Sequence, residues 1–320
     1  MMRLGSGGYP NASSLVSGRR ARTLRAVTAS QFAWVKGHGT ENDFVLLPDP
    51  DGSIHGSLDG PADRAFVAAL CHRRRGLGSD GVIRVVRAAD LAGRYGVEVA
   101  KQAAADGAEW FMDYRNADGS YSDMCGNGMR VLVRWLLDEG WLGGAGPWPI
   151  GTRGGTRQVA AEPSGRLAAD LGPVTRLSDS EVAVGGRRWP AVGVDVGNPH
   201  AVVTVEDLAE AGALTEPPSY DTALYPDGVN VEFVTPTGER QVAMRVYERG
   251  SGETRSCGSG AVAAAVLAER IAGTPDRPAT YRVDVPGGRL DVTLRADGHG
   301  VLAGPTVVVV RGSMSWESRA

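Results

Sequence analysis

Apolar residues fall along this chain mostly in short runs of strand character, each closed by Gly, Pro, Asn or Asp. Phe32-Ala33-Trp34-Val35-Lys36 is the first and breaks at Gly37-His38-Gly39-Thr40; Glu41-Asn42-Asp43-Phe44-Val45-Leu46-Leu47 resumes it and stops at Pro48. Val82 to Val86 and Trp110 to Tyr114 follow, the latter running into Asn116-Ala117-Asp118-Gly119-Ser120, where Asp-Gly predicts a tight hairpin turn. Past a Gly- and Pro-rich stretch from Gly140 to Gly155 come Arg157 to Ala161, Arg166 to Leu171, Glu181 to Val184, Trp189 to Val196 and Ala201 to Val205. Pro199 holds the Gly197-Asn198-Pro199-His200 interruption extended. Val229 to Val234, Met244 to Arg249, Tyr281 to Val285, Arg289 to Leu294 and Thr306 to Val310 complete the strand candidates. Helical spacing marks Asp63 to Cys71, Val131 to Leu137 and Val262 to Arg270. The pattern predicts an α+β, largely antiparallel protein rather than alternating βαβ units.

The second and third helices open alike. Met124-Cys125-Gly126-Asn127-Gly128 precedes one and Thr254-Arg255-Ser256-Cys257-Gly258-Ser259-Gly260 the other, so two halves of the chain repeat one device. That device is a thiol at the mouth of a helix, where the first N–H groups lack intrahelical partners and the dipole is positive. Such a site binds anions and favours a thiolate. Cys71, inside the first helix, reads as a small core residue.

A chain of 320 residues has room for two domains with their own cores. The crossing is placed in the Gly- and Pro-rich stretch, which divides the chain into 32–150, completed by a returning strand within about 303–320, and 151–302. Residues 1–31, with Arg3, Arg19, Arg20, Arg22 and Arg25 and no acidic residue, read as a disordered N-terminal extension. A net charge of only −3, with both signs interspersed, argues against a nucleic-acid partner. Every apolar run is interrupted before it reaches the length of a membrane span, so no membrane partner is expected. Three cysteines cannot all pair and none forms a C-x-x-C unit, which points to a reducing, cytoplasmic setting.

Several chemistries use cysteines in this setting. A disulfide redox pair is usually closely spaced and needs an electron partner. A Cys–His nucleophile with His200 as base leaves the second cysteine idle. A metal held by two Cys and one His lacks the usual pair spacing, and no metal is expected. An acid–base thiol pair employs both cysteines: one removes a proton from a tetrahedral carbon and the other returns it to the opposite face. Lys36 and Lys101 are the only lysines and neither looks like a pyridoxal anchor, so no cofactor is expected. General acid–base catalysis supplies roughly 10²–10⁴-fold, too little for an amino-acid α-hydrogen. Fixed donors must therefore meet the substrate carboxylate. Free N–H groups after each cysteine can do so, with Asn42, Asn116, Asn198, Asn230 and Arg249 holding the rest of a small-molecule substrate.

At this point the chain resembles the diaminopimelate epimerases, from about Phe32 to Arg311. The resemblance rests on His38-Gly39-x-x-Asn42-Asp43-Phe44, Asn116-Ala117-Asp118-Gly119-Ser120, Met124-Cys125-Gly126-Asn127-Gly128-x-Arg130, Gly197-Asn198-Pro199-His200, Gly228-Val229-Asn230 and Glu248-Arg249-Gly250-x-Gly252-Glu253-Thr254-x-x-Cys257-Gly258-x-Gly260, in that order. It implies two pseudo-symmetric domains, each a curved, mostly antiparallel sheet around a central helix, with the active site in the cleft between them. It further implies cofactor-independent interconversion of LL- and meso-diaminopimelate, a step of lysine and peptidoglycan-precursor synthesis, by Cys125 and Cys257. His200 and Glu248 carry over as groups assisting proton transfer. Asn42, Asn116, Asn198, Asn230, Glu248 and Arg249 carry over as substrate contacts, and Gly126-Asn127 and Gly258-Ser259 as the loops holding the reacting carboxylate. A homodimer is implied as well. Glu41 and Gly81 depart from the family pattern: many relatives have a small residue at the first and Gln at the second, so one substrate amide contact is missing or replaced. The nearest alternative is a proline or hydroxyproline racemase, but those tend to have His where this chain has Asn127. A non-catalytic amino-acid-binding protein of the same fold is the other alternative, and retention of both cysteines argues against it.

Overall fold

The structure is a computed structural model that describes residues 30–273 and 277–316; the expectation for 1–31 lies outside the described residues except at Ser30 and Gln31. Phe32–Met314 forms one compact unit. Its first half runs β1 (Ser30–Gly39), β2 (Asn42–Pro48), α1 (Pro61–Cys71), β3 (Gly81–Arg87), α2 (Ala88–Tyr95), α3 (Glu98–Ala105), β4 (Trp110–Asn116), α4 (Gly126–Asp138), β5 (Trp148–Gly151), β6 (Arg157–Ala161) and β7 (Leu167–Pro173). The second runs β8 (Thr175–Arg176), β9 (Ser180–Val184), β10 (Arg187–Asp195), β11 (Pro199–Thr204), β12 (Asn230–Gly238), β13 (Gln241–Glu248), β14 (Gly252–Thr254), α5 (Gly258–Ala272), β15 (Ala279–Val285), β16 (Gly288–Leu294), β17 (His299–Gly304) and β18 (Val307–Trp316).

The strand pairing repeats. In the first half β1–β2 is antiparallel, β2–β3 parallel, β3–β4 antiparallel and β4–β5 parallel across α4, with β6 and β7 following antiparallel. In the second, β10–β11, β11–β12, β12–β13 and β13–β15 across α5 follow the same alternation, and β16 and β17 follow antiparallel. The two lobes join where β7 pairs with β17, and β18 pairs with β1.

Each lobe encloses one helix. Met129, Leu132, Val133 and Leu136 form a fully buried stripe on α4, which packs on β2, β3, β6 and β7. In α5, Ala261 to Ala265 are all buried, because strands from β10 to β17 surround it and small side chains let them close in. The expected break at Gly37 falls inside β1, and the turn is Thr40-Glu41, both with positive φ. Glycine at 37 marks close approach instead, since a Cβ would meet Val131 and the Val307 carbonyl at 2.8 Å. Two helices, α2 and α3, lie in a stretch with no helical expectation. Among the described residues no helix is long and apolar enough to cross a membrane.

Candidate active site

The local sequence around each cysteine dictates its placement. Cys125 and Cys257 are the N-caps of α4 and α5, both with extended backbone, and each sulfur accepts the N–H three residues on, from Gly128 and Gly260, at 3.4 Å. Glycine after each cysteine lets both helix mouths approach Leu302 closely, with Leu171 also against the first. A Cβ at Gly126 would stand 3.0 Å from Leu302 Cδ2, and one at Gly258 would stand 2.8 Å from the same atom and 3.5 Å from the Asn127 nitrogen. Both thiols consequently line one cavity of about 80 Å³. All three cysteines are free.

The repeat explains the cavity walls. Phe44 and Gly81 pair across β2–β3 as His200 and Asn230 do across β11–β12, and Asn116 pairs with Gly81 across β3–β4. Asn42 and Asn198, two residues before Phe44 and His200, enter the cavity from corresponding turns, and Asn116 and Glu248 enter from the ends of β4 and β13. Beneath the thiols the lobes differ. Ile83 Cδ1 lies 3.0 Å from a Cβ built at Gly128, whereas Glu232 Oε1 lies 2.6 Å from one built at Gly260. Apolar Ile83 thus lies against the first helix mouth, and fully buried Glu232, bonded to His200, against the second.

Hydrogen bonding leaves the amides little freedom. Arg130 has only donors, so its guanidinium faces Asn127 Oδ1. That turns Asn127 Nδ2 toward Asn42 Oδ1 at 3.2 Å and Ser256 Oγ at 3.3 Å. Asn42 in turn donates from Nδ2 to Asp80 Oδ2 at 2.9 Å, which leaves its oxygen 3.8 Å from the Cys125 sulfur. Ser256 meets Thr40 Oγ1 at 2.6 Å, so the chain of bonds crosses from lobe to lobe. On the other wall His200 Nδ1 donates to Glu232 Oε1 at 2.7 Å, and its Nε2 lies 3.0 Å from Asn198 Oδ1.

Of the residues singled out in the sequence, Asn42, Asn116, Cys125, Gly126, Asn198, Glu248, Cys257, Gly258 and Ser259 line the thiol cavity. Asn127 is buried behind it, and His200 lies behind Asn198 with both ring nitrogens engaged. Asn230 and Arg249 line an adjoining cleft of about 480 Å³ that shares Asn116, Asn198 and Glu248 with the cavity. Asn230 there donates to the Pro199 carbonyl and accepts the Arg249 N–H, at 3.2 and 3.0 Å. Sequence reasoning did not single out Asp80, Tyr114 and Thr254, which line the cavity, or Glu232 behind it. Glu232 carried a signal, an acidic residue within an otherwise apolar strand run.

Burial works against the thiolate that the helix mouths favour. Burial pushes the Cys125 thiol up to about 12, against the lowering effect of the Gly128 N–H, and the Glu248 charge adds to the rise. Cys257 is pushed well above the ordinary thiol range by burial and by Glu248 and Glu232. At both thiols desolvation works against the helix mouth and favours the protonated form. Cys71, against Ser79, is raised by burial to about 11. Glu248 is raised to about 7, by burial first and then by the Asp80 and Glu232 charges, while a bond from Thr254 pulls the other way.

Glu248 therefore makes stability depend on pH. Between about 4.5 and 7 the folded chain keeps a proton that the unfolded chain has lost, so this residue's contribution to stability declines as pH rises through that window and stays low above it. Glu248→Gln should be relatively more stable by an amount that grows from pH 4.5 to 7 and then levels off, on the order of 1–3 kcal/mol once partial exposure is discounted. Urea unfolding of both proteins across that range checks it; a constant difference contradicts the assignment.

This fold is that of the proline racemase and PhzF-type epimerases. A hydroxyproline epimerase from Agrobacterium vitis, solved with trans-4-hydroxy-L-proline bound, superposes with a TM-score of 0.63 over 90% of this chain and 93% of its own, at 15% identity. The chain belongs to the diaminopimelate epimerase family, whose model matches residues 34–177 and 192–313. The diaminopimelate epimerase of Streptomyces coelicolor is 51% identical over 290 residues, 89% of this chain and 96% of that protein. That of Thermobifida fusca is 45% identical over 281 residues, 88% of this chain and 97% of that protein.

Proposed function

We propose that this chain interconverts LL- and meso-diaminopimelate by inverting one α-carbon, with Cys125 and Cys257 as the acid–base pair and no cofactor. The observation that carries the reading is the repeated helix-mouth cysteine, one from each lobe, on the wall of a single cavity. One sulfur, as thiolate, takes the α-hydrogen, and the C–H electron pair delocalises into the carboxylate. The other sulfur, as thiol, gives its proton to the opposite face. The N–H groups of Gly126, Asn127, Gly258 and Ser259 meet the charge that builds on the carboxylate, in a site from which closure excludes water. The α-ammonium of the substrate brings a positive charge that lowers the thiol pKa values again. Glu248 assists by holding or releasing a proton near neutral pH, and His200 by fixing Asn198.

The thiol cavity suits the reacting end of the substrate. The adjoining cleft, with Asn230 and Arg249, suits a second amino-acid end. A long substrate with two charged ends uses both spaces, and a compact ring such as proline would leave the second idle. Purified protein without added cofactor should convert LL- to meso-diaminopimelate, with the meso isomer favoured because the LL isomer offers two equivalent centres. Racemisation of L-proline instead, read by chiral chromatography, would overturn the substrate assignment. The proposal includes two domains that meet at the β7–β17 pairing. Since β5 to β7 extend the first lobe's sheet, it places the crossing after β7 rather than at 150/151. A cytoplasmic homodimer completes it; light scattering that gives a monomer mass at micromolar concentration would contradict the assembly.

A further inference from the structure

The repeat leaves one wall position empty. Asn230, paired with His200, carries an amide, whereas its counterpart Gly81, paired with Phe44, has no side chain to offer a ligand. The φ of Gly81 is not positive, so the backbone does not demand glycine there; the space does. A Cβ at 81 would stand 2.5 Å from Tyr114 Cε2, 2.9 Å from Tyr114 Oη and 2.5 Å from the Arg115 carbonyl oxygen. The Tyr114 ring lies across the place that a side chain at 81 would occupy.

Tyr114 reaches this position from β4. It is 7% exposed, packs edge-on against Phe44 with ring centroids 5.8 Å apart, and lines the thiol cavity with Cys125 and Asn116. Among the described residues its hydroxyl has no hydrogen-bond partner. Asp80, a carboxylate on the same cavity wall, is already engaged by the Asn42 amide, the Asp43 N–H and Arg73. Buried tyrosine hydroxyls normally find a partner, and this one is left facing a cavity built for an amino acid. Burial, reinforced by the charges of Glu248 and Asp80, keeps the phenol protonated and hence a donor.

We propose that Tyr114 is a substrate-binding residue whose O–H donates to a carboxylate oxygen of the bound amino acid, filling the role that Gly81 cannot. The inference rests on the proposed function and adds to it a contact that Gly81 does not supply. Tyr114→Phe keeps the ring over Gly81 and the packing on Phe44 but removes the donor. Its kcat/KM for LL-diaminopimelate should fall about 10- to 100-fold, as for loss of a hydrogen bond to a charged group. The fall should sit mainly in KM, with little change in the unfolding midpoint of the free protein. The exchange Gly81→Gln with Tyr114→Leu should recover part of the loss, since the amide then has the space. Gly81→Gln alone should be worse than the double variant because it is forced against the ring. A wild-type KM in Tyr114→Phe, with active wild-type enzyme alongside, overturns the role of Tyr114 and leaves the function standing. Wild-type protein that does not epimerise diaminopimelate overturns both.

Discussion

Cys125→Ala and Cys257→Ala will each lose epimerisation by at least about 10³-fold while remaining folded. Inversion needs a proton removed from one face and another delivered to the opposite face, and each sulfur reaches only one of these. The cost to stability will be small, about 1 kcal/mol, because each change removes a weak helix cap and little buried volume. Each variant should still exchange the α-hydrogen of one stereoisomer with solvent, without inverting it, since the remaining thiol can return a proton only to the face it took one from. Cys71→Ala, which removes a thiol outside the cavity, should keep its turnover. Near-normal epimerisation by either helix-mouth variant would show that one thiol suffices.

The largest stability effect is expected at Asp113 on β4. Its fully buried carboxylate meets Arg84 at 3.0 Å and Arg153 at 2.9 Å, and also bonds Arg115. Arg84 and Arg115 are themselves 0% and 1% exposed, so Asp113→Ala strands two cations away from water. The loss should be about 3–5 kcal/mol, lowering the unfolding temperature by roughly 10 °C. Asp113→Asn should cost less, since it keeps the shape and an acceptor. Activity should fall too, even where the variant is folded. Arg115 and Arg153 hold the Tyr121 ring between them at 3.9 and 3.8 Å, in the segment that leads from Asn116 to Cys125. Thermal and urea unfolding decide the point; a loss below about 1 kcal/mol would mean that Asp49 and Asp59 can neutralise the cluster alone.

The helix mouths were legible in the sequence because their signal is local: a capping residue, glycines and an apolar run lie within a few positions of one another. So were most strands, whose turns carry Gly, Pro or Asn. What stayed hidden depends on register. Nothing near Glu232 in the chain says that it occupies, beneath Cys257, the place that Ile83 holds beneath Cys125; only the matched pairing of β11–β12 and β2–β3 reveals it. Tyr114 reads as a strand residue until Gly81 is seen to make room for its ring. The short helices α2 and α3 bury little beyond alanines and Leu91, too faint a stripe to stand out. The burial that works against a thiolate stayed hidden for a similar reason. The N–H groups at a helix mouth can be read from sequence, but the depth of burial that opposes them is set by long-range packing.

The central claim is that two different sulfurs handle the departing and arriving protons, and epimerisation in D₂O tests it most directly. With LL-diaminopimelate and purified protein, product and remaining substrate are analysed by mass spectrometry within the first few per cent of reaction. If Cys125 and Cys257 act as separate acid and base, each meso molecule formed carries one solvent deuterium at the inverted carbon, while unreacted LL isomer stays largely protiated. Meso product that retains the original hydrogen would mean that a single group carries the proton from one face to the other, and would contradict the two-thiol account.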